Sequence, residues 1–119
     1  MGLRSTEIER RLREFFETRR EVLAAYLFGS TVSGRTHPGS DIDIGVLIDR
    51  KQVRRSSLKY RLQMADLGSA LQKSDVDLVL MDEAPPALAQ NIIAKGRLVF
   101  EGSRSARVAF QVRALNVFM

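Results

Sequence analysis

Apolar positions recur in two different periods along this chain, and the switches between them mark out the elements. Ile8, Leu12, Phe15 and Phe16 fall at i, i+4, i+7 and i+8, which predicts an amphipathic helix over 6–20 with Thr6 and Glu9 as its capping box. Val22 to Phe28 is an unbroken apolar run stopped by Gly29, the pattern of a buried strand. From Asp41 to Ile48 the chain alternates: Ile42, Ile44, Val46 and Ile48 point one way, and Asp41, Asp43, Gly45 and Leu47 the other. The helical period returns over 53–72, where Leu58, Leu62, Ala65, Leu67 and Leu71 make one apolar face.

Residues 75–81 alternate again, with Val76, Leu78 and Leu80 opposite Asp75, Asp77, Val79 and Met81. Pro85-Pro86 opens a helix over 87–95 that Gly96 should end as a left-handed cap. Leu98-Val99-Phe100 reads as an edge strand, and Ser103 caps a last helix with Val108, Val112, Leu115 and Phe118 along one line. Between the first two strands, Gly34, Pro38 and Gly39 make a turn, after one short helical turn from Ser30. The order predicts an α+β domain with α/β-like character, a small mixed sheet flanked by helices, with one domain across 1–119.

Composition narrows this picture only a little. There is no cysteine, so neither a disulfide framework nor a thiolate zinc site is available. No apolar run reaches the roughly 18 residues of a membrane span, which places the expectation in the cytoplasm. The net charge of +5 suits an anionic ligand or an acidic partner. Arginine supplies 15 of the 19 basic residues, which fits phosphate recognition and equally fits a compositional bias. The basic set Lys51, Arg54, Arg55, Lys59 and Arg61 reads as a solvated helix face or as a patch for an acidic partner or RNA. His37 reads as a solvated loop residue, and Tyr26 and Tyr60 as packing residues.

The aspartates change the picture more. Asp41 and Asp43 are two residues apart on a strand, so both carboxylates leave the same face. Like charges a few Å apart repel by about 1 kcal/mol in water, and by more when partly buried. A proton, basic side chains or a metal must offset that. Magnesium takes one or two protein carboxylates together with phosphate oxygens. Taken alone, Asp41 also serves as a turn cap after Gly39-Ser40. Asp43 does not, because it lies inside an apolar alternation. Asp77 lies inside another, and if the two strands are neighbours it faces the same cleft. Three carboxylates about one point suit a pair of divalent ions acting on a triphosphate. Asp75 is a weaker candidate, placed at the strand mouth. Gly29 and Ser30 end the first strand, where a glycine allows close backbone approach to a phosphate and a serine can open a short helix.

The joint spacing carries more than its parts. The segments Phe28-Gly-Ser-Thr-Val-Ser-Gly-Arg35, Gly39-Ser-Asp-Ile-Asp-Ile-Gly-Val46 and Val76-Asp-Leu-Val79 resemble those of the DNA-polymerase-β-like nucleotidyltransferase superfamily. Within it, the chain resembles the minimal nucleotidyltransferases of prokaryotes. That resemblance implies magnesium ligation by Asp41 and Asp43, with Asp77 as the third acid, helping to deprotonate the acceptor and completing the metal set. It implies two magnesium ions, ATP as substrate, and nucleotide contacts from Gly29, Ser30 and Ser40. Relatives often carry arginine immediately before the glycine at 34; here Ser33 stands there and Arg35 follows.

The elements above are used up in building a catalytic core, which leaves no second domain to bind an acceptor. The resemblance implies that a partner supplies it: a HEPN-type toxin whose tyrosine receives AMP, with this chain as antitoxin and pyrophosphate released. Two other readings stay open, a binding-only antitoxin and a transferase acting on a small molecule such as an antibiotic. No membrane association is expected, and direct nucleic-acid binding is not favoured.

Overall fold

The computed structural model describes residues 5–29, 32, 41–64, 66–71 and 76–116. Helix α1 (Ser5–Glu17) leads into β1 (Val22–Phe28) and then β2 (Ile42–Ile48). Two short helices follow, α2 (Ser57–Gln63) and α3 (Asp66–Ala70), and then β3 (Val76–Leu80). The chain continues as α4 (Pro86–Lys95), β4 (Arg97–Glu101) and α5 (Arg104–Asn116).

The strands form one sheet in the order β3-β2-β1-β4. β1 is antiparallel to both β2 and β4, while β2 and β3 run parallel. A parallel pair needs a long crossover, and α2 with α3 supplies it. The result is the expected mixed α+β sheet, with β4 at one edge as predicted.

Both faces of the sheet are covered, and the two-residue period of β2 decides what covers each. Ile42, Ile44, Val46 and Ile48 join Ile8, Leu12 and Phe16 of α1, Tyr60 and Met64 near α2, and Leu67 and Leu71 near α3 in one core cluster. Leu47 turns the other way and joins Ala24, Tyr26, Met81 and Ile92 in a second cluster, against which Phe28 and Phe110 pack. Tyr26 and Tyr60 are both buried, as expected of packing residues. Their hydroxyls are satisfied: Tyr60 donates to Glu21 Oε2 at 2.9 Å, and Tyr26 accepts from Gln111 Nε2 at 2.9 Å.

Several sequence expectations are corrected. Helix α1 begins at Ser5, so Thr6 is already helical and does not cap it. Glu9 reaches Arg97 Nη1 at 3.4 Å instead of closing a capping box. The helix expected over 53–72 starts late and is broken. Gln52 and Val53 turn back onto the Asp49 carbonyl, and Val53 is buried as a plug. Ser56 then caps α2 by accepting from Lys59 N at 3.2 Å. Near Met64 the backbone leaves the helical region (φ −86°, ψ 8°), and α3 starts at Asp66.

The buried face also differs from the expected one. Tyr60, Met64, Leu67 and Leu71 go inward, whereas Leu58 and Leu62 are 67% and 65% exposed. Gly96 is not a left-handed cap, since its φ of −76° is open to any residue. It is required for space, because a Cβ there would overlap the Ile92 carbonyl oxygen. Ser103 does cap α5, its hydroxyl accepting from Ala106 N at 3.3 Å. Phe118 and Ala65 lie outside the described residues. Among those residues, no helix is long and apolar enough to cross a membrane.

Candidate active site

β2 and β3 are neighbours, and their register sets Asp43 directly beside Asp77. Side chains of register partners leave the same face, so the two carboxylates stand side by side at the strands' N-terminal ends. Asp41 immediately precedes β2, two residues before Asp43, and is exposed. Strand alternation sends Asp43 to the face carrying Gly45 and Leu47. One pleat further in, α4 closes onto the sheet: a Cβ at Gly45 would lie 3.3 Å from both Ile92 and Met81. A glycine inside an otherwise apolar strand signals such close approach. Here it lets α4 wall one side of the aspartate cluster.

On its other side Asp43 faces Phe28, its register partner on β1. Asp43 is half-buried in consequence. Burial first, and then the charges of Asp77 and Asp41, push its carboxyl pKa above the ordinary aspartate value. The three acids therefore sense one another electrostatically.

Gly29 follows Phe28 directly and has φ +75°, the left-handed region that only glycine enters freely. A Cβ there would overlap Asp43 Oδ2. The glycine is thus fixed twice, by its own backbone and by the carboxylate against it. Its carbonyl accepts from Val32 N at 3.2 Å, so the chain turns tightly after β1. Ser30 and Ser40 lie outside the described residues, as do Arg35, His37 and Asp75.

The donor set suits a hard divalent cation, because it is made of carboxylate oxygens. Burial, and then the neighbouring Asp77 and Asp41 charges, disfavour the ionised Asp43 carboxylate, and a cation at this position would offset both. Among the described residues, however, no three acidic or histidine side chains converge into a ready-made metal cage. An ion held here would take further oxygens from outside the protein, as magnesium commonly does from phosphates.

The basic set lies elsewhere. Lys51, Arg54 and Arg55 follow the C-terminal end of β2, away from Asp43, and all five members are exposed. Arg55 stacks over the Tyr60 ring at 5.0 Å. Sequence reasoning missed Phe28 as a site wall and Gly45 as the point where α4 approaches; only the latter had a readable signal.

The polymerase beta nucleotidyltransferase family model matches residues 10–105. The chain is 35% identical over 95 residues to protein adenylyltransferase MntA of Shewanella oneidensis, covering 78% of this chain. It spans 63% of that relative's length. A solved toxin–antitoxin structure with AMP-PNP superposes with a TM-score of 0.72 at 28% identity, covering 98% of this chain and 87% of the other. A tri-AMPylated Shewanella oneidensis HEPN toxin in complex with an MNT antitoxin matches in fold, with a TM-score of 0.68 at 22% identity over 98% of this chain and 87% of that one. A match of this extent, running from α1 to the start of α5 and spanning the paired aspartates and the Gly29 turn, settles the family: the chain belongs to the polymerase beta nucleotidyltransferases.

Proposed function

We propose that this chain is an antitoxin nucleotidyltransferase that moves AMP from ATP to a tyrosine hydroxyl of a partner HEPN-type toxin. The observation that carries the reading is the register pairing of Asp43 with Asp77, with Asp41 two residues away and Gly29 packed against Asp43. The similarity to an adenylyltransferase named MntA, and to a toxin–antitoxin structure with AMP-PNP, supports the nucleotide and the partner.

Asp41 and Asp43 would hold magnesium, with Asp77 sharing the second of two ions. Bound there, magnesium neutralises the triphosphate and the leaving pyrophosphate. The protein's own contribution is placement. Gly29, Ser30 and Ser40 would seat the triphosphate against the carboxylates. Asp77, exposed on the edge strand β3, would accept the proton of the incoming hydroxyl. The acceptor oxygen then bonds to the α-phosphorus as the bond to the bridging oxygen breaks. Holding these groups in line supplies most of the catalysis. The proposed setting is the cytoplasm, where ATP is available.

Co-expression with a HEPN-type toxin, followed by intact-mass spectrometry, tests this. Toxin gaining AMP units with wild type but not with Asp43→Asn supports the reading. An unmodified yet silenced toxin would establish a binding-only antitoxin, and transfer to an antibiotic without any toxin would establish a small-molecule enzyme.

A further inference from the structure

Helix α5 has apolar side chains on two faces. Phe110 and Ala114 face inward, Phe110 against the second core cluster. Val108, Val112 and Leu115, at i, i+4 and i+7, are 42%, 52% and 50% exposed on the outside. Single exposed apolar residues are ordinary, but an aligned ridge on a helix already packed on its other side marks an interaction surface.

The direction of α5 ties this ridge to the aspartates. At its start, Ser103 N donates to the Leu23 carbonyl, near the beginning of β1. Two turns later Gln111 Nε2 reaches Tyr26, whose register partner Gly45 lies two residues from Asp43. Further on, the Ala114 carbonyl accepts from Gln90 Nε2 at 2.8 Å. The helix therefore climbs alongside β1, at about 1.5 Å per residue, toward the end bearing Gly29 and Asp43. It lies on the sheet face that Asp43 uses. The exposed pair Leu58 and Leu62 belongs to the opposite layer, with α1 and the first core cluster.

Charge identifies the occupant. Helix α5 contains three arginines and no acid. Arg107 pairs with Glu101 at 2.6 Å, whereas Arg104 and Arg113 are exposed with no ion-pair partner among the described residues. A second copy docking by the same ridge would bring arginine against arginine. A complementary surface is apolar along its centre and acidic at its rim.

We propose that the Val108–Val112–Leu115 ridge of α5 docks the acceptor protein through an acidic, amphipathic face, setting its hydroxyl at the aspartate cluster. This rests on the adenylyl-transfer reading and adds where the acceptor binds. Val112→Glu in the full chain, assayed against a co-expressed HEPN-type toxin, should raise the KM for toxin by about tenfold or more while kcat at saturation stays near wild type. Arg113→Glu should raise KM less. The thermal shift given by ATP with magnesium should be unchanged in both. If Val112→Glu lowers the melting temperature, the milder pair Val112→Ser and Leu115→Ser replaces it.

An unchanged KM for toxin with transfer intact overturns the docking proposal and leaves the function standing. So does a loss of self-association, or of binding to anionic phosphatidylserine vesicles, unaccompanied by any change toward toxin. Toxin binding that depends on Val112 without any AMP transfer by wild type overturns the function and keeps the surface as an interface.

Discussion

Gly29 and Asp43 are packed so closely that the glycine has no room for a side chain: a Cβ on Gly29 would overlap Asp43 Oδ2. The turn proposed to cradle phosphate and the carboxylate proposed to hold metal are thus one structural unit, joined across β1 and β2.

Gly29→Ala meets two obstacles, a φ of +75° and the carboxylate itself. The backbone strain alone costs about 1–2 kcal/mol. Urea unfolding should show a destabilisation of at least that size, and AMP transfer should fall by orders of magnitude more than AMP-PNP binding, because Asp43 is displaced. Wild-type transfer in this variant would break the proposed link between turn and carboxylate.

Asp43 makes a stability prediction with a definite sign. Its folded pKa is raised by burial and by Asp77 and Asp41. Its contribution is therefore favourable below the unfolded aspartate pKa and is lost as pH rises through the folded value. Metal-free Asp43→Asn should consequently melt higher than wild type at pH 7, by a few degrees for removal of about 1 kcal/mol of repulsion. The advantage should vanish toward pH 3. Magnesium should stabilise wild type and not the variant. A lower melting temperature for metal-free Asp43→Asn at pH 7 would contradict this electrostatic account.

Tyr60 is buried and donates to Glu21, and burial followed by that bond raises its phenol pKa strongly. Tyr60→Phe leaves the Glu21 carboxylate without its donor and should cost about 1–3 kcal/mol at pH 7. A phenol with a raised folded pKa stabilises below its unfolded value near 10 and loses that contribution as pH climbs through the folded value. The gap between wild type and variant should therefore be constant up to about pH 10 and narrow above it. Denaturation curves across that range give the answer.

Arg50 ties the start of α2 to the β3–α4 turn. Its guanidinium takes Asp82 through two bonds of 2.6 and 3.1 Å and Glu83 at 2.6 Å, and Ser57 also bonds Glu83. All these groups are partly solvated, so Arg50→Ala should cost only about 1 kcal/mol. The loss should shrink in 1 M salt. AMP transfer should be unaffected, since the clamp sits at the opposite end of β2 from Asp43.

Much of the fold was legible in the chain because it depended on local period. The alternation of β2 separated Asp43 from its apolar neighbours, and the structure keeps that separation on the two sheet faces. The broken helix was less legible. Leu58 and Leu62 fit a helical stripe as well as Tyr60 and Met64 do, and nothing local chooses between two overlapping stripes. Tertiary packing makes that choice, by taking Tyr60, Met64, Leu67 and Leu71 into the core cluster under the sheet.

The sequence by itself determined the strand positions, the facing of Asp41 and Asp43 and the glycine at the end of β1. Each follows from side-chain geometry within a few residues. Only the tertiary structure decided that β3 lies next to β2, in the register that sets Asp77 beside Asp43. Strand neighbours and register follow from how both faces of the sheet are buried at once, which no local pattern encodes. The same holds for α5: its apolar line was visible in the sequence, but which of its two apolar faces stays outside was settled by the packing of Phe110 and Ala114 against the sheet.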